Sequence, residues 1–216
     1  MEQVIQKKLE EFFSRYPIIK FEKGENILRP GKVSEKVGFI KSGYVRLYST
    51  NEAGQEITMQ FFKPTLYLTM IYALTGIENR LSFEAITPVE VQEAPNKEML
   101  DFLNENQDVK ESLTKSIMVA FLDLITNTAN LLSGNAYSRV ALMVCSLTNR
   151  MAGLNENYST IDFGITHKLI ASLTGLTRET VTLQMIRLEK EGIIVNKSKS
   201  VQVLNKEKLI SAAKVE

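Results

Sequence analysis

The stretch from Ile165 to Ile194 limits the possible folds more than any other part of the chain. Thr166 stands where it caps a short helix bearing Leu169, Ile170 and Leu173. Gly175 follows at the point where two helices joined by a tight turn need a left-handed residue. Thr177 then caps a second helix, because its hydroxyl can accept an amide hydrogen two or three residues on. Val181, Met185 and Leu188 make the inward stripe of that helix, while Arg178, Glu179, Thr182, Leu183 and Ile186 fall on another face. Gly192 closes it. Ile193-Ile194-Val195 and Val201-Gln202-Val203-Leu204 bracket a basic hairpin, Asn196-Lys197-Ser198-Lys199-Ser200. Two capped helices, a turn glycine and a basic hairpin predict a winged helix-turn-helix over residues 165–204.

The residue types on the outer face suit DNA. An α-helix fits the major groove, and residues near its N-terminus reach the base edges. Arg178 can give two hydrogen bonds to a guanine, Glu179 can accept from cytosine N4, and Leu183 offers only apolar contact, for example to a thymine methyl. Thr177 and Thr182 share this surface. Lys168, Lys197 and Lys199 would hold phosphates and set register without reading sequence. The competing reading is a helical pair inside an ordinary domain, with Arg178 and Glu179 as a solvated pair.

Upstream the pattern differs. Residues 2–14 read as an amphipathic helix with Val4, Ile5, Leu9, Phe12 and Phe13 on one side. After Pro17 come short strands at 18–21, 26–28, 37–41, 44–49, 56–62, 82–86 and 89–94, separated by turn signals. Ser42-Gly43 is a hairpin candidate. Many short strands at close spacing predict a β-sandwich or jelly roll. The apolar run Leu66–Leu74 has two readings, pocket wall or barrel core. Helices follow at 96–104, 107–132 and 136–152, and a polar loop runs to Thr160. Along the long helix Leu113, Ile117, Ala120, Leu124, Asn127 and Leu131 fall at alternating spacings of four and three, a coiled-coil seam with one polar member. The seam joins two copies of the chain, or else packs the helix on its own barrel. The fold class expected is therefore α+β, a double-stranded β-helix (jelly roll) over 1–106, a dimerisation helix over 107–134 and a winged helix-turn-helix over 135–216.

Composition excludes several function classes. Cys145 is the only cysteine, so no internal disulfide and no multi-cysteine metal or iron–sulfur site forms within one chain; it reads as a small apolar residue on a buried helix face rather than a redox sensor. No apolar run approaches the ~20 residues of a membrane span, and the polar N-terminus lacks the apolar stretch of a secretory signal. A cytoplasmic address and no membrane partner follow. The net charge of +1 hides a mild asymmetry: residues 139–216 hold eleven Lys/Arg against seven Asp/Glu. With one histidine, no Gly-rich phosphate loop and no Ser-His-Asp arrangement, an enzyme is not expected, and no cofactor. The rival reading is a small-molecule or protein-binding sensor module with little DNA binding.

Leu176-Thr-Arg-Glu-Thr-Val181 followed by Arg187-Leu-Glu-Lys-Glu-Gly-Ile-Ile194 resembles the recognition helix of the CRP/FNR family, the catabolite-activator-like regulators. Ser138-Arg139-Val140-Ala141 resembles the start of that family's DNA-binding domain. Phe21-Glu-Lys-Gly-Glu25, Pro30-Gly31, Phe39–Leu47 and Asn51-Glu-Ala-Gly-Gln55 resemble the glycine-punctuated roll of its sensor domain. The resemblance implies a homodimeric transcriptional regulator on a palindromic double-stranded DNA site, in contact with RNA polymerase. Three departures also stand out. Lys63-Pro-Thr-Leu-Tyr-Leu-Thr-Met70 lacks the glycine and glutamate of the family's nucleotide cassette, Asn79-Arg80-Leu81-Ser82 separates its Arg and Ser, and Leu124-Ile125 replaces its base-binding hydroxyls. They place the chain in the branch without the cassette and predict no cyclic-AMP response. Any other small-molecule effector, its identity open, is expected beside Tyr67, Met70, Arg80, Ser82 and Leu124. His167 lies in the DNA-binding part, where a place near phosphate is expected. At Leu183 many family members carry a guanine-reading Arg, so a different operator is implied.

Overall fold

The computed structural model describes residues 2–31, 34–54, 56–151, 160–161, 166–197 and 200–213. Among them no helix is long and apolar enough to cross a membrane. The chain divides into two compact units, Met1–Gly54 with Met59–Phe121, and Gln55–Thr58 with Leu122–Glu216. The border falls inside the long helix rather than at either of its ends.

The first unit is the expected roll. Helix α1 (Glu2–Phe13) precedes β1 (Ile18–Phe21), β2 (Asn26–Leu28), β3 (Lys36–Ser42), β4 (Val45–Thr50), β5 (Glu56–Phe62) and β6 (Tyr67–Leu68). Then come α2 (Met70–Thr75), β7 (Ser82–Ala85), β8 (Val89–Pro95), α3 (Asn96–Glu105) and α4 (Gln107–Ser133). Two four-stranded sheets form, ordered β1-β8-β3-β6 and β2-β7-β4-β5. The Ser42-Gly43 turn is therefore no hairpin between paired strands. β3 pairs with β8 and β6, while β4 pairs with β7, and the turn carries the chain from one sheet to the other.

Gly43 makes that crossing possible. Its φ is +84°, and a Cβ there would stand 2.1 Å from the Pro88 carbonyl oxygen. A side chain meets both a left-handed backbone and a fixed carbonyl. Gly43→Ala is expected to cost roughly 1–3 kcal/mol, read as a thermal midpoint lower by about 2–4 °C per kcal/mol. An unchanged midpoint would show that the turn relaxes freely.

The roll holds two apolar clusters. Ile40, Val45, Leu68, Phe83, Ala85, Val89 and Val91 fill the space between the strands. The other joins Leu9, Phe12 and Phe13 of α1 to Phe39, Met70, Met99, Leu103, Val109 and Leu113. Phe13 stacks on Phe39 with ring centroids 4.9 Å apart. α1 buries Leu9, Phe12 and Phe13 as its spacing predicts, but Val4 is exposed. The run Leu66–Leu74 enters the core at Leu68 and Met70, while Ile71 and Leu74 are exposed. It is the two-residue β6 followed by α2, joined at Thr69, whose φ is +65° and whose Oγ1 donates to the Lys36 carbonyl oxygen at 2.6 Å.

The second unit holds α5 (Ala136–Met151), β9 (Thr160–Ile161), α6 (His167–Thr174), α7 (Arg178–Lys190), β10 (Ile194–Lys197), β11 (Ser200–Val203) and α8 (Lys206–Ala213). The three strands form one antiparallel sheet, β10-β11-β9. α5 buries Val140, Ala141, Val144 and Leu147 as expected, and Cys145 is buried beside them. Ile170 and Leu173 of α6 and Val181, Met185 and Leu188 of α7 complete the core. α8 and β9 lie beyond what the pattern predicts. Asn205 Oδ1 accepts the Lys208 amide hydrogen at α8's start, and Leu209 and Ala213 are its buried pair.

Candidate nucleic-acid interface

The helix-turn-helix is built by its caps. Thr166 Oγ1 accepts the Leu169 amide hydrogen at 3.1 Å and Thr177 Oγ1 that of Thr180 at 3.2 Å, each satisfying an otherwise unpaired donor. Gly175, at φ +65°, ends α6. The Arg139 guanidinium lies against it and donates from Nη2 to the Thr174 carbonyl oxygen. Arg139 thus holds the turn of the motif from α5, a role that its place in the sequence does not announce.

With Val181, Met185 and Leu188 fully buried, the opposite face of α7 is bare. Arg178 and Glu179 occupy its first turn and are exposed. Leu183 is 64% exposed, and Ile186 one turn on is 41% exposed. Lys168 is exposed at the start of α6. The far end of α7 is anchored by Arg187, which lies over the Tyr137 ring at 4.0 Å and donates from Nε to Glu191 at 2.8 Å. Tyr137 gives its hydroxyl hydrogen to the same carboxylate. Burial, with that bond to Glu191, pushes the phenol up to about 12, so it remains a donor.

Two expected contact residues are engaged elsewhere. The Thr182 hydroxyl donates to the Arg178 carbonyl oxygen at 2.9 Å and meets His167 Nδ1 at 2.8 Å, so it is committed within the domain rather than free for a base. His167, expected near phosphate, has its other ring nitrogen 3.1 Å from Asn196 Nδ2, so it too faces inward. Lys197 ends β10, its side chain outside the described residues, as is all of Lys199.

On α4 the proposed seam is corrected at one end. Leu113 packs in its own chain's core with Val109 and is only 9% exposed. Ile117 and Ala120 are half-buried and Leu124 is 48% exposed, while the side chains of Asn127 and Leu131 lie outside the described residues. Around these the helix shows Met118, Phe121, Leu122 and Ile125 at 50–64% exposure. Of the residues expected to line an effector pocket, Met70 and Ser82 are buried in packing, Ser82 as the strand partner of Tyr48. Tyr67 is half-buried near Phe13 and Phe39, its phenol pushed up by burial. Arg80 is exposed.

Two family models match the chain, a cyclic nucleotide-binding domain over residues 18–106 and a Crp-like helix-turn-helix domain over 138–212. The first overturns the placement in a branch without that module. The global nitrogen regulator of Nostoc sp. is 29% identical over 187 residues, covering 85% of this chain and 84% of that protein. The transcriptional activator protein anr of Pseudomonas aeruginosa is 23% identical over 194 residues, 88% of this chain and 78% of that protein. Among solved structures, FixK2 from Bradyrhizobium japonicum superposes with a TM-score of 0.80 at 20% identity, covering 93% of this chain and 98% of that one. A CRP/FNR-family regulator from Thermus thermophilus gives 0.70 at 23% identity, covering 93% and 100%.

Proposed function

The chain belongs to the CRP/FNR family of DNA-binding transcriptional regulators, which act as dimers, and from that premise we propose how this member meets DNA. Helix α7 lies in the major groove with Arg178 and Glu179 on base edges and Leu183 beside a base of each half-site. Lys168, Lys197 and Lys199 hold phosphate, and Thr177 caps the helix at the DNA surface. Two copies, joined along α4, place two α7 helices on a palindromic site. Contact with RNA polymerase and response to a small-molecule effector belong to the same reading, which is of a regulator rather than an enzyme.

The single observation that carries it is the bare face of α7. A helix N-terminus offering an arginine, a glutamate and a 64% exposed leucine, with a fully buried stripe beneath, is arranged for an outside partner. Selection of bound duplexes from a random-sequence pool tests it. A symmetric motif should emerge. A pool that stays random would favour the rival reading, a sensor module with little DNA binding.

The phosphate role makes its own prediction. Lys168→Ala should weaken all sequences alike and reduce the salt slope by about one unit, with the motif unchanged. A changed motif would mean that Lys168 touches a base.

A further inference from the structure

We propose that His167 is a positioning residue that ties the wing to the reading helix, so that the phosphate grip of one sets the base register of the other. The inference rests on α7 as the reading helix. His167 opens α6, and its two ring nitrogens reach the two other elements of the domain that face DNA in that reading. Nδ1 stands 2.8 Å from Thr182 Oγ1 on α7, and Nε2 3.1 Å from Asn196 Nδ2 on β10.

The proposed relay has one direction. In it the Thr182 hydroxyl gives its hydrogen to the Arg178 carbonyl oxygen, 2.9 Å away, and accepts from His167. Nδ1 therefore carries the hydrogen. In the neutral ring Nε2 is then bare, an acceptor that matches the Asn196 amide group. The relay runs from Asn196 through His167 and Thr182 to the backbone of Arg178, the first residue of α7. A second bond reinforces it, since the Asn196 backbone amide donates to Glu189 Oε1 at 2.7 Å. Glu189 lies two turns beyond Thr182 on the same helix. One wing residue is thus held to α7 at two points, and Lys197 is its neighbour in sequence.

Phosphate contacts place a protein on the duplex and base contacts give it sequence. A rigid link between their two carriers converts one into the other. Without it the wing still grips and the helix still reaches, but their registers drift apart. Loss of His167 should therefore lower affinity for the operator and leave affinity for unrelated DNA in place.

Two measurements on the full chain test this. The chain has one histidine, so nitrogen-15 labelling gives a single imidazole pattern. That pattern should show Nδ1 protonated and Nε2 bare, and Asn196→Ala should shift Nε2. An Nε2-bound hydrogen, or a pattern indifferent to Asn196→Ala, overturns the proposal. Neither result needs DNA, so each stands apart from whether α7 reads bases. The second measurement is fluorescence anisotropy with the selected operator and a scrambled duplex of equal length. His167→Ala and Asn196→Ala should each weaken operator binding by about tenfold, with scrambled-duplex binding unchanged. The double variant should be no worse than the weaker single one. Effects that multiply, or that fall equally on both duplexes, overturn the link. An Arg178→Ala control that left the motif unchanged would instead count against α7 as the reader.

Discussion

A chain carrying Phe121→Glu and Leu124→Glu together should sediment as one 24.4 kDa species, where the unaltered chain should sediment as a pair. It should also lose operator affinity by roughly a hundredfold to ten-thousandfold, the usual gain from linking two binding modules. Between residues 117 and 125 α4 is apolar almost all round, the pattern of a helix buried on every side. Yet Phe121 is 60% and Leu124 48% exposed in the single chain. Covering such side chains is worth about 1.5–3 kcal/mol each, and in the proposed dimer a second copy would supply the cover. Two carboxylates per chain would bury unpaired charge in that contact. Leu113→Ala separates the alternatives. Because Leu113 packs against its own roll, its loss should lower the melting temperature, at about 2–5 kcal/mol, and leave the pair intact. A double glutamate variant that still sediments as a pair would place the dimer contact elsewhere.

The same residues show where sequence pattern stops being informative. A four-and-three spacing says that one side of a helix is apolar, but not what covers it; Leu113 and Leu124 fit one seam, yet Leu113 packs in its own core and Leu124 is half exposed. The run Leu66–Leu74 was legible as core but not as two elements, since strand, helix and core use the same residue types in a short apolar stretch. Its break at Thr69 is a left-handed threonine, which no propensity foretells. The turn at Gly43 was legible as a turn, but not its path, because neighbours in sequence join opposite sheets. α8 has little beyond Leu209 and Ala213 to announce it.

The helix-turn-helix was legible because its signals are local and chemical. Thr166, Gly175 and Thr177 each satisfy a backbone requirement at one position, and Val181, Met185 and Leu188 recur at helical spacing. Its outer face was legible only by elimination. Thr182 shares that face with Arg178, yet its hydroxyl turns back onto the helix and onto a histidine fifteen positions earlier. Position on a face shows what a residue can reach, and only the neighbours show whether its polar atoms are free.

Arg178→Ala should change the selected motif at one position of each half-site and cost about 1–3 kcal/mol in operator affinity, the worth of a bidentate contact to a guanine. Arg178 has the geometry for this, exposed in the first turn of a capped helix whose inner stripe cannot shift without breaking the core. Lost phosphate contacts would lower every sequence alike, so the changed motif separates a base reader from a phosphate holder. Leu183 gives the reverse experiment. It lies five residues on, 64% exposed, and can offer only apolar contact. An arginine there can give two hydrogen bonds to one guanine, at a point where the leucine side chain can give none. If the helix docks as proposed, Leu183→Arg should add a preference for a guanine that the native chain ignores and leave the Arg178 position as it was. If selection with Leu183→Arg returns the native motif, residue 183 does not face the bases, and α7 must enter the groove on a different face or not at all.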